Sequence, residues 1–149
     1  MFQILRTNYK NVDYQSLVIK LDKEILKRDG KDFEFYNQFN SSENLNEVVL
    51  IMDNNRAIGC GTIKRYDNEK AEIKRMFTAE ESRGKGVATL ILKELEKWAC
   101  ELGYNECILE TGRKYTEAIT LYQKHSFKIT ENYDQYAGVE DSVCFIKRL

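Results

Sequence analysis

Apolar residues recur along this chain in two rhythms, and the changes between them mark out the elements. In "DYQSLVIKLDKEILKRDG" (13–30), Tyr14, Leu17, Val18, Leu21 and Ile25 fall at helical spacing, with Asp13 as the expected N-cap and Gly30 at the end. "FEFYNQF" (33–39) predicts a short second helix. "FQILR" (2–6), "EVVLIM" (47–52), "RAIGCGTIK" (56–64) and "KAEIKRMF" (70–77) read as strands, and the last three are separated by "DNN" and "YDNE", which are tight-turn compositions. They predict an antiparallel meander.

From Gly84 the period changes. Val87, Leu90, Ile91, Leu95, Trp98, Ala99 and Leu102 form one helical stripe that stops at Gly103. "ECILET" (106–111) follows as a strand, and "TEAITLYQKHS" (116–126) brings Ala118, Leu121, Tyr122 and His125 onto one helical face. "FKIT" (127–130) and "SVCFIKRL" (142–149) close the chain as strands. There is no repeat, no Gly/Ser linker and no proline, so residues 1–149 read as a single α/β domain with a mixed sheet.

Composition narrows the partners. The 23 basic and 24 acidic side chains leave a net charge of -1, which exerts no global pull toward nucleic acid or an anionic membrane, so any anion site is local. The longest purely apolar run is "VVLIM", and "MFQILRTNYK" has neither an h-region nor a cleavage site. The expectation is a soluble, cytoplasmic protein. Cys60, Cys100, Cys107 and Cys144 form no C-x-x-C pair and His125 is the one histidine, which argues against a metal site and for reduced, buried thiols.

The stretch 70–111 is strand, loop, helix, strand, the layout of a right-handed βαβ crossover with two parallel strands. That layout brings Phe77, the 83–88 loop and Glu110–Thr111 to one edge. The first turn of a helix carries N–H groups without intrahelical partners and roughly half a positive charge, so it attracts an anion. Gly84 and Gly86 remove Cβ atoms where a phosphate would approach, and Arg83 and Lys85 supply charge. A Walker A loop is excluded because Ala79 stands at its first glycine and Gly86 follows Lys85; a dinucleotide fingerprint is excluded by Thr89 at its third glycine. A pyrophosphate cradle, or a glycine turn that merely starts a helix, is left.

Arg83-Gly84-Lys85-Gly86-Val87-Ala88 fits the pattern Q/R-x-x-G-x-G/A and resembles the GNAT superfamily of N-acetyltransferases. "AEIKRMFTAEESRGKGVATLILKELEKWACELGYNECILETG" (71–112) looks like that family's strand, pyrophosphate loop, long helix and next strand, and "EAITLYQKHSFK" (117–128) is similar to its A-x-x-L-Y-x-x-x-G-F block. Ser126 stands where the family often has glycine, and no proline precedes the loop. The resemblance implies a mostly antiparallel central sheet with a V-shaped opening between two parallel central strands. It also implies acetyl-CoA as co-substrate, with Met76, Phe77 and Thr78 pairing main chain with the pantetheine arm and Arg83, Gly84, Lys85, Gly86, Val87, Ala88 and Thr89 holding the pyrophosphate. In this reading Tyr122 protonates the departing thiolate.

Direct transfer needs a neutral amine, and an alkyl amine titrates near about 10.4, so a proton acceptor is required. Glu72 and Glu110, on the two strands of the crossover, are the candidates, each against the plainer reading of a structural carboxylate. Met76 and Phe77 also read as ordinary core, and His125 as structural or exposed. The acceptor, a small-molecule or peptide amine, is expected across 22–40 and 131–141, which carry Tyr36, Phe39, Tyr133, Tyr136, Glu140 and Asp141. Two alternatives stay open: a CoA-responsive regulatory module without catalysis, and acyl transfer to another acceptor or from a longer acyl-CoA. The C-terminal strand is expected to be exposed and to allow a homodimer.

Overall fold

Asn54 and Asn55 both sit at positive φ, 50° and 66°. A two-residue hairpin demands that backbone, and asparagine tolerates it better than most residues. From this turn the strands β2 (Glu47–Asp53) and β3 (Arg56–Arg65) run antiparallel, with a register shift between Ile51 and Met52. Strand β1 (Phe2–Thr7) pairs antiparallel with β2, from Phe2 opposite Asp53 to Thr7 opposite Val48.

The computed structural model describes residues 1–42 and 44–149. After the hairpin come β4 (Lys70–Thr78), β5 (Glu106–Gly112), β6 (Lys128–Thr130) and β7 (Ser142–Arg148). Among the described residues the strands hydrogen-bond in the order β1-β2-β3-β4-β5-β7-β6. The helices are α1 (Val12–Asp29), α2 (Phe33–Asn37), α3 (Val87–Glu101) and α4 (Thr116–Lys124), so each expected element is present with its ends moved by a few residues.

Helix α1 begins earlier than its apolar spacing suggests. Its N-cap is Asn11 rather than Asp13: the Asn11 side chain accepts from the Tyr14 N–H at 3.0 Å, while Asp13 lies in the first turn, where its charge favours the helix dipole. Gly30 ends the helix at φ 55°, its N–H bonded to the Leu26 carbonyl. The second helix starts at Phe33 as expected, directly after a 3-10 turn over residues 30–32, and ends at Asn37, two residues earlier than expected.

The chain packs as two compact units, Met1–Lys64 with Ile73–Lys97, and Arg65–Glu72 with Trp98–Leu149. In the first, the predicted stripe of α1 supplies Tyr14, Leu17, Val18 and Leu21 to a buried cluster with Val48, Leu50, Cys60 and Phe77. Helix α3 lies directly on β3 at two glycines. A Cβ on Gly61 would stand 2.6 Å from Ile91 and 2.7 Å from the Met76 sulfur, and one on Gly59 would stand 2.6 Å from Val87. Arg6 on β1 reaches Glu94 of α3 at 2.6 Å.

In the second unit β4 and β5 form the expected parallel pair, Lys70 with Glu106, Ala71 with Cys107 and Glu72 with Ile108. Strand β7 runs antiparallel to β5 along its whole length and carries β6 on its other side. The C-terminal strand, expected to be exposed, instead lies between β5 and β6, which pairs with its residues 144–146, and Ser142 to Phe145 are buried. The thiol expectation also needs one correction: Cys60, Cys107 and Cys144 are buried, but Cys100 on α3 is exposed.

Candidate active site

In the first unit, strand β4 hands over to α3 through a tight connection. Ala79 donates to the Ile58 carbonyl at 2.8 Å, a 3-10 turn covers Glu80–Ser82, and Gly84 and Gly86 follow at φ 77° and 82°. Nothing lies within 4 Å of where a Cβ would project from either glycine. The Gly86 carbonyl already accepts from Leu90, so Gly86 is where α3 begins and the N–H groups just beyond it have no intrahelical acceptor. Left-handed glycines flanking Lys85 at a helix start form the kind of concave N–H surface that takes an anion.

The two cations of this loop are in different situations. Lys85 is exposed. Arg83 is held: its Nε donates to the Thr78 carbonyl at 3.0 Å, its Nη2 meets Glu24 of α1 at 2.7 Å, and its guanidinium lies 5.7 Å from the centre of the Phe77 ring. Glu81, on the same connection, pairs with Arg56. Val87 is buried against Gly59, whereas Ala88 and Thr89 are half-buried.

Strand β4 is distorted just before the loop. Arg75 has φ 57°, unusual for a non-glycine residue in a strand, and its nearly inaccessible side chain meets Asp22 at 2.5 Å. Thr62 donates through its hydroxyl to the Lys74 carbonyl at 3.0 Å, and Cys60 through its thiol to the Arg75 carbonyl at 3.5 Å. Met76 packs its sulfur toward Gly61, Phe77 belongs to the apolar cluster, and Thr78 is half-buried. The Phe77 side chain is thus packed in the core, while Met76 is half-buried with its sulfur against Gly61.

The second unit holds the acid and phenol groups. In a parallel pair partnered residues face the same side, so Glu72, opposite Ile108, shares a face with Glu110 two residues further along β5. Glu110 in turn is opposite Cys144 on β7, and one of its carboxylate oxygens is sealed from solvent. Glu72 is only 8% exposed, and its Oε2 accepts from the Tyr133 hydroxyl at 2.7 Å. Tyr133 makes edge contacts with Tyr66 and Tyr136, at 5.5 and 5.7 Å between ring centres, and Tyr66 donates to Asp134 at 2.9 Å.

Burial pushes the Tyr133, Tyr136 and Tyr122 phenols well above their usual value. The Glu72 and Glu110 carboxylates add to this at Tyr133 and Tyr136 respectively, and Glu110 does so at Tyr122. The Cys144 thiol is likewise pushed up to about 11 by burial first and then by Glu110 and Glu72. Glu110 therefore lies on the side of Tyr122, Tyr136 and Cys144.

The geometry around Tyr122 explains why a tyrosine, three residues and then a left-handed position and a phenylalanine go together. Ser126 donates to the Gln123 carbonyl at 3.1 Å and Phe127 to the Tyr122 carbonyl at 3.0 Å, which is the paired closure of a Schellman C-terminus. That motif brings the residue after the left-handed position back onto the one five earlier, and the Phe127 and Tyr122 rings meet edge-on at 5.8 Å. Phe145 closes the other side at 5.8 Å. Ser126 itself sits at φ 70°, the conformation glycine would supply.

The remaining candidates separate. Tyr136 is buried and Tyr133 half-buried, while Glu140 and Asp141 are exposed and accept from Arg113 through their carbonyls. Tyr36 and Phe39 each stack edge-on with Phe35 in the first unit. His125 caps α4 and is half-buried. Sequence reasoning missed the Tyr133–Glu72 and Arg83–Glu24 pairs, which join residues far apart in the chain and leave no local signal. It passed over the same-face glycines of "GCG" (59–61), whose i, i+2 spacing is the readable sign of an element packed closely above.

Among the described residues no group of His, Cys, Asp and Glu is arranged to hold a metal ion, and no helix is long and apolar enough to cross a membrane.

Comparison with known proteins gives a consistent picture. The model of the acetyltransferase (GNAT) family matches residues 12–127. The uncharacterized N-acetyltransferase YsnE of Bacillus subtilis is 34% identical over 93 residues, 61% of this chain and 62% of its own length. An uncharacterized N-acetyltransferase of Schizosaccharomyces pombe is 28% identical over 131 residues, 81% of this chain and 78% of its own. The chain thus spans somewhat less than two thirds of the first of these relatives. Among solved structures, a GNAT family acetyltransferase from Staphylococcus aureus superposes with a TM-score of 0.75 at 19% identity, covering 100% of this chain and 99% of that one. A GNAT family acetyltransferase from Elizabethkingia anophelis with acetyl-CoA bound gives 0.70 at 23%, covering 99% and 98%. These likenesses establish the fold.

Proposed function

The chain belongs to the acetyltransferase (GNAT) family, and from that premise we propose that it is a cytoplasmic, single-domain enzyme that transfers the acetyl group of acetyl-CoA directly to a primary amine of a small molecule or peptide. The observation that carries this reading is the start of α3, where two left-handed glycines with open space above them flank an exposed lysine. A Cβ at either glycine would fill the surface on which a pyrophosphate rests, so the residues fit the group. Acetyl-CoA bound to the Elizabethkingia anophelis protein supports the same donor.

Acetyl-CoA supplies an activated thioester whose sulfur leaves as a thiolate. The chain's own groups do the rest. Gly84 to Thr89 present N–H groups to the phosphates, Lys85 adds charge, and the carboxylate of Glu72 or Glu110 takes the proton from the attacking amine, directly or through water. Tyr122 keeps its proton at Oη for the departing sulfur. In water that transfer is uphill by roughly 1.5 pK units, or ~2 kcal/mol. Burial that raises the phenol raises a thiol in the same surroundings too, as Cys144 illustrates, so the mismatch does not grow by the full shift of Tyr122.

The test has two stages. Millimolar acetyl-CoA is expected to raise Tm by linkage, and a panel of amines is expected to release thiol from it, with Tyr122→Phe retaining the thermal shift and losing turnover. Binding without thiol release from any amine would favour the regulatory module, and absence of a thermal shift would remove the donor assignment altogether.

A further inference from the structure

Among the described residues, Arg75 is the one non-glycine residue inside a strand whose backbone takes a positive φ, 57°. A residue in that region cannot continue an extended run, so β4 changes direction between Lys74 and Met76. Such a backbone is unfavourable for a residue with a Cβ and persists only where its surroundings impose it. Three contacts of the first unit do so. The Lys74 carbonyl accepts from the Thr62 hydroxyl at 3.0 Å, the Arg75 carbonyl accepts from the Cys60 thiol at 3.5 Å, and the Arg75 guanidinium, its side chain 1% exposed, reaches Asp22 of α1 at 2.5 Å.

Of these contacts only the ion pair involves charge. A guanidinium withdrawn from water needs an anion and stays where that anion is. Asp22 is fixed by its helix, because its neighbour Leu21 belongs to the apolar cluster that joins α1 to β2, β3 and Phe77. The Arg75 side chain thus ties the bend of β4 to a rigid element. A glycine at this position would adopt the same backbone without strain and leave it loose. The peptide from Arg75 to Met76 is trans and its carbonyl is directed at Cys60, so the Met76 N–H points the opposite way. Its direction is set by the backbone angles of Arg75, and Met76, Phe77 and Thr78 are the residues whose main chain is assigned to the pantetheine arm.

We propose that Arg75 is a positioning residue for the acyl donor: its buried ion pair with Asp22 holds the bend of β4 and so aims the main chain of Met76 to Thr78 at acetyl-CoA. The proposal rests on the acetyl-CoA reading above and needs no turnover to test. Isotope labelling of methionine nitrogen leaves few backbone amides visible, Met52 and Met76 among them. Acetyl-CoA titrated into the wild type, well below its Tm, is expected to shift the Met76 amide and leave that of Met52, which marks a folded chain. Asp22→Asn keeps the shape of the side chain and removes its charge; it should move the Met76 amide before ligand is added and weaken acetyl-CoA Kd by roughly fivefold or more. Asp22→Glu, which returns the charge, should bring Kd back to within about twofold of wild type. If the wild type does not bind acetyl-CoA, the donor reading falls and this proposal with it. If the wild type binds, the positioning role alone is overturned by an unmoved Met76 amide, by an unchanged Kd in Asp22→Asn, or by an equal loss in Asp22→Glu. Loss of the Met52 mark in either variant would overturn it too, because the pair would then serve folding as a whole.

Discussion

The Tyr133 hydroxyl donates a 2.7 Å hydrogen bond to Oε2 of Glu72, joining the loop before β7 to the start of β4. Both partners are withdrawn from solvent, so the bond is made in a setting where a charged acceptor strengthens it. A double-mutant cycle of Tyr133→Phe and Glu72→Gln, read by urea unfolding, should give a coupling of about 1.5–3 kcal/mol, the range for a bond to a charged group. Tyr133→Phe should also lower kcat with little change in acetyl-CoA Kd. Additive effects in the cycle would mean that the pair contributes no coupling.

Gly86→Ala places a Cβ on the open surface of the loop and forces a φ of 82° on a residue that resists it. The expected stability loss is about 1–2 kcal/mol, with acetyl-CoA Kd weakened at least tenfold by isothermal titration. Lys85→Ala should weaken Kd at low salt and much less in 1 M salt, since an exposed charge is screened there. Wild-type affinity in Gly86→Ala would rule out the loop as the phosphate site.

Gly61→Ala drives a methyl into Ile91, Leu95 and the Met76 sulfur at 2.6–3.0 Å. Overpacking of this kind costs about 1–3 kcal/mol, so the urea midpoint should fall clearly. Unchanged stability would show that α3 does not sit as tightly on β3 as these distances require.

Ser126→Gly relieves the left-handed backbone at φ 70° that closes α4. A gain of about 0.5–1 kcal/mol is expected, whereas Ser126→Ala should give none. A destabilised glycine variant would mean that the serine side chain contributes more than the strain it imposes.

Stability should decline on the alkaline side. Tyr14 and Cys60 are pushed up to about 12 and Cys144 to about 11, and Tyr122, Tyr133 and Tyr136 are raised further, all chiefly by burial. Below pH about 7.5 both folded and unfolded chains hold these protons, and the stability they contribute is complete. As pH rises past about 8.5 the unfolded cysteines, and near about 10 the unfolded tyrosines, release protons that the folded chain retains, and that stability is lost. Tm measured from pH 8 to 11 should fall steadily, with a shallower slope in Tyr122→Phe. A flat profile to pH 11 would contradict the burial of these groups.

Local pattern determined a great deal of this protein. The stripe of α1, the asparagine turn between β2 and β3, the glycines that open α3 and the block that ends α4 are each written in a few adjacent residues, because capping, turn formation and helical periodicity act over one to five positions. The family could be read from the same local stretches. Even locally the reading slipped where two caps compete, as at Asn11 and Asp13.

Tertiary structure decided what depends on distance. That Tyr133 holds Glu72, that Glu24 holds Arg83, that β7 is enclosed by β5 and β6, and that Cys100 is exposed while three other thiols are not all follow from which strands and helices became neighbours. A side chain's facing and partners are set by pairing register and packing, which link residues tens of positions apart. No adjacent pattern in the chain encodes them.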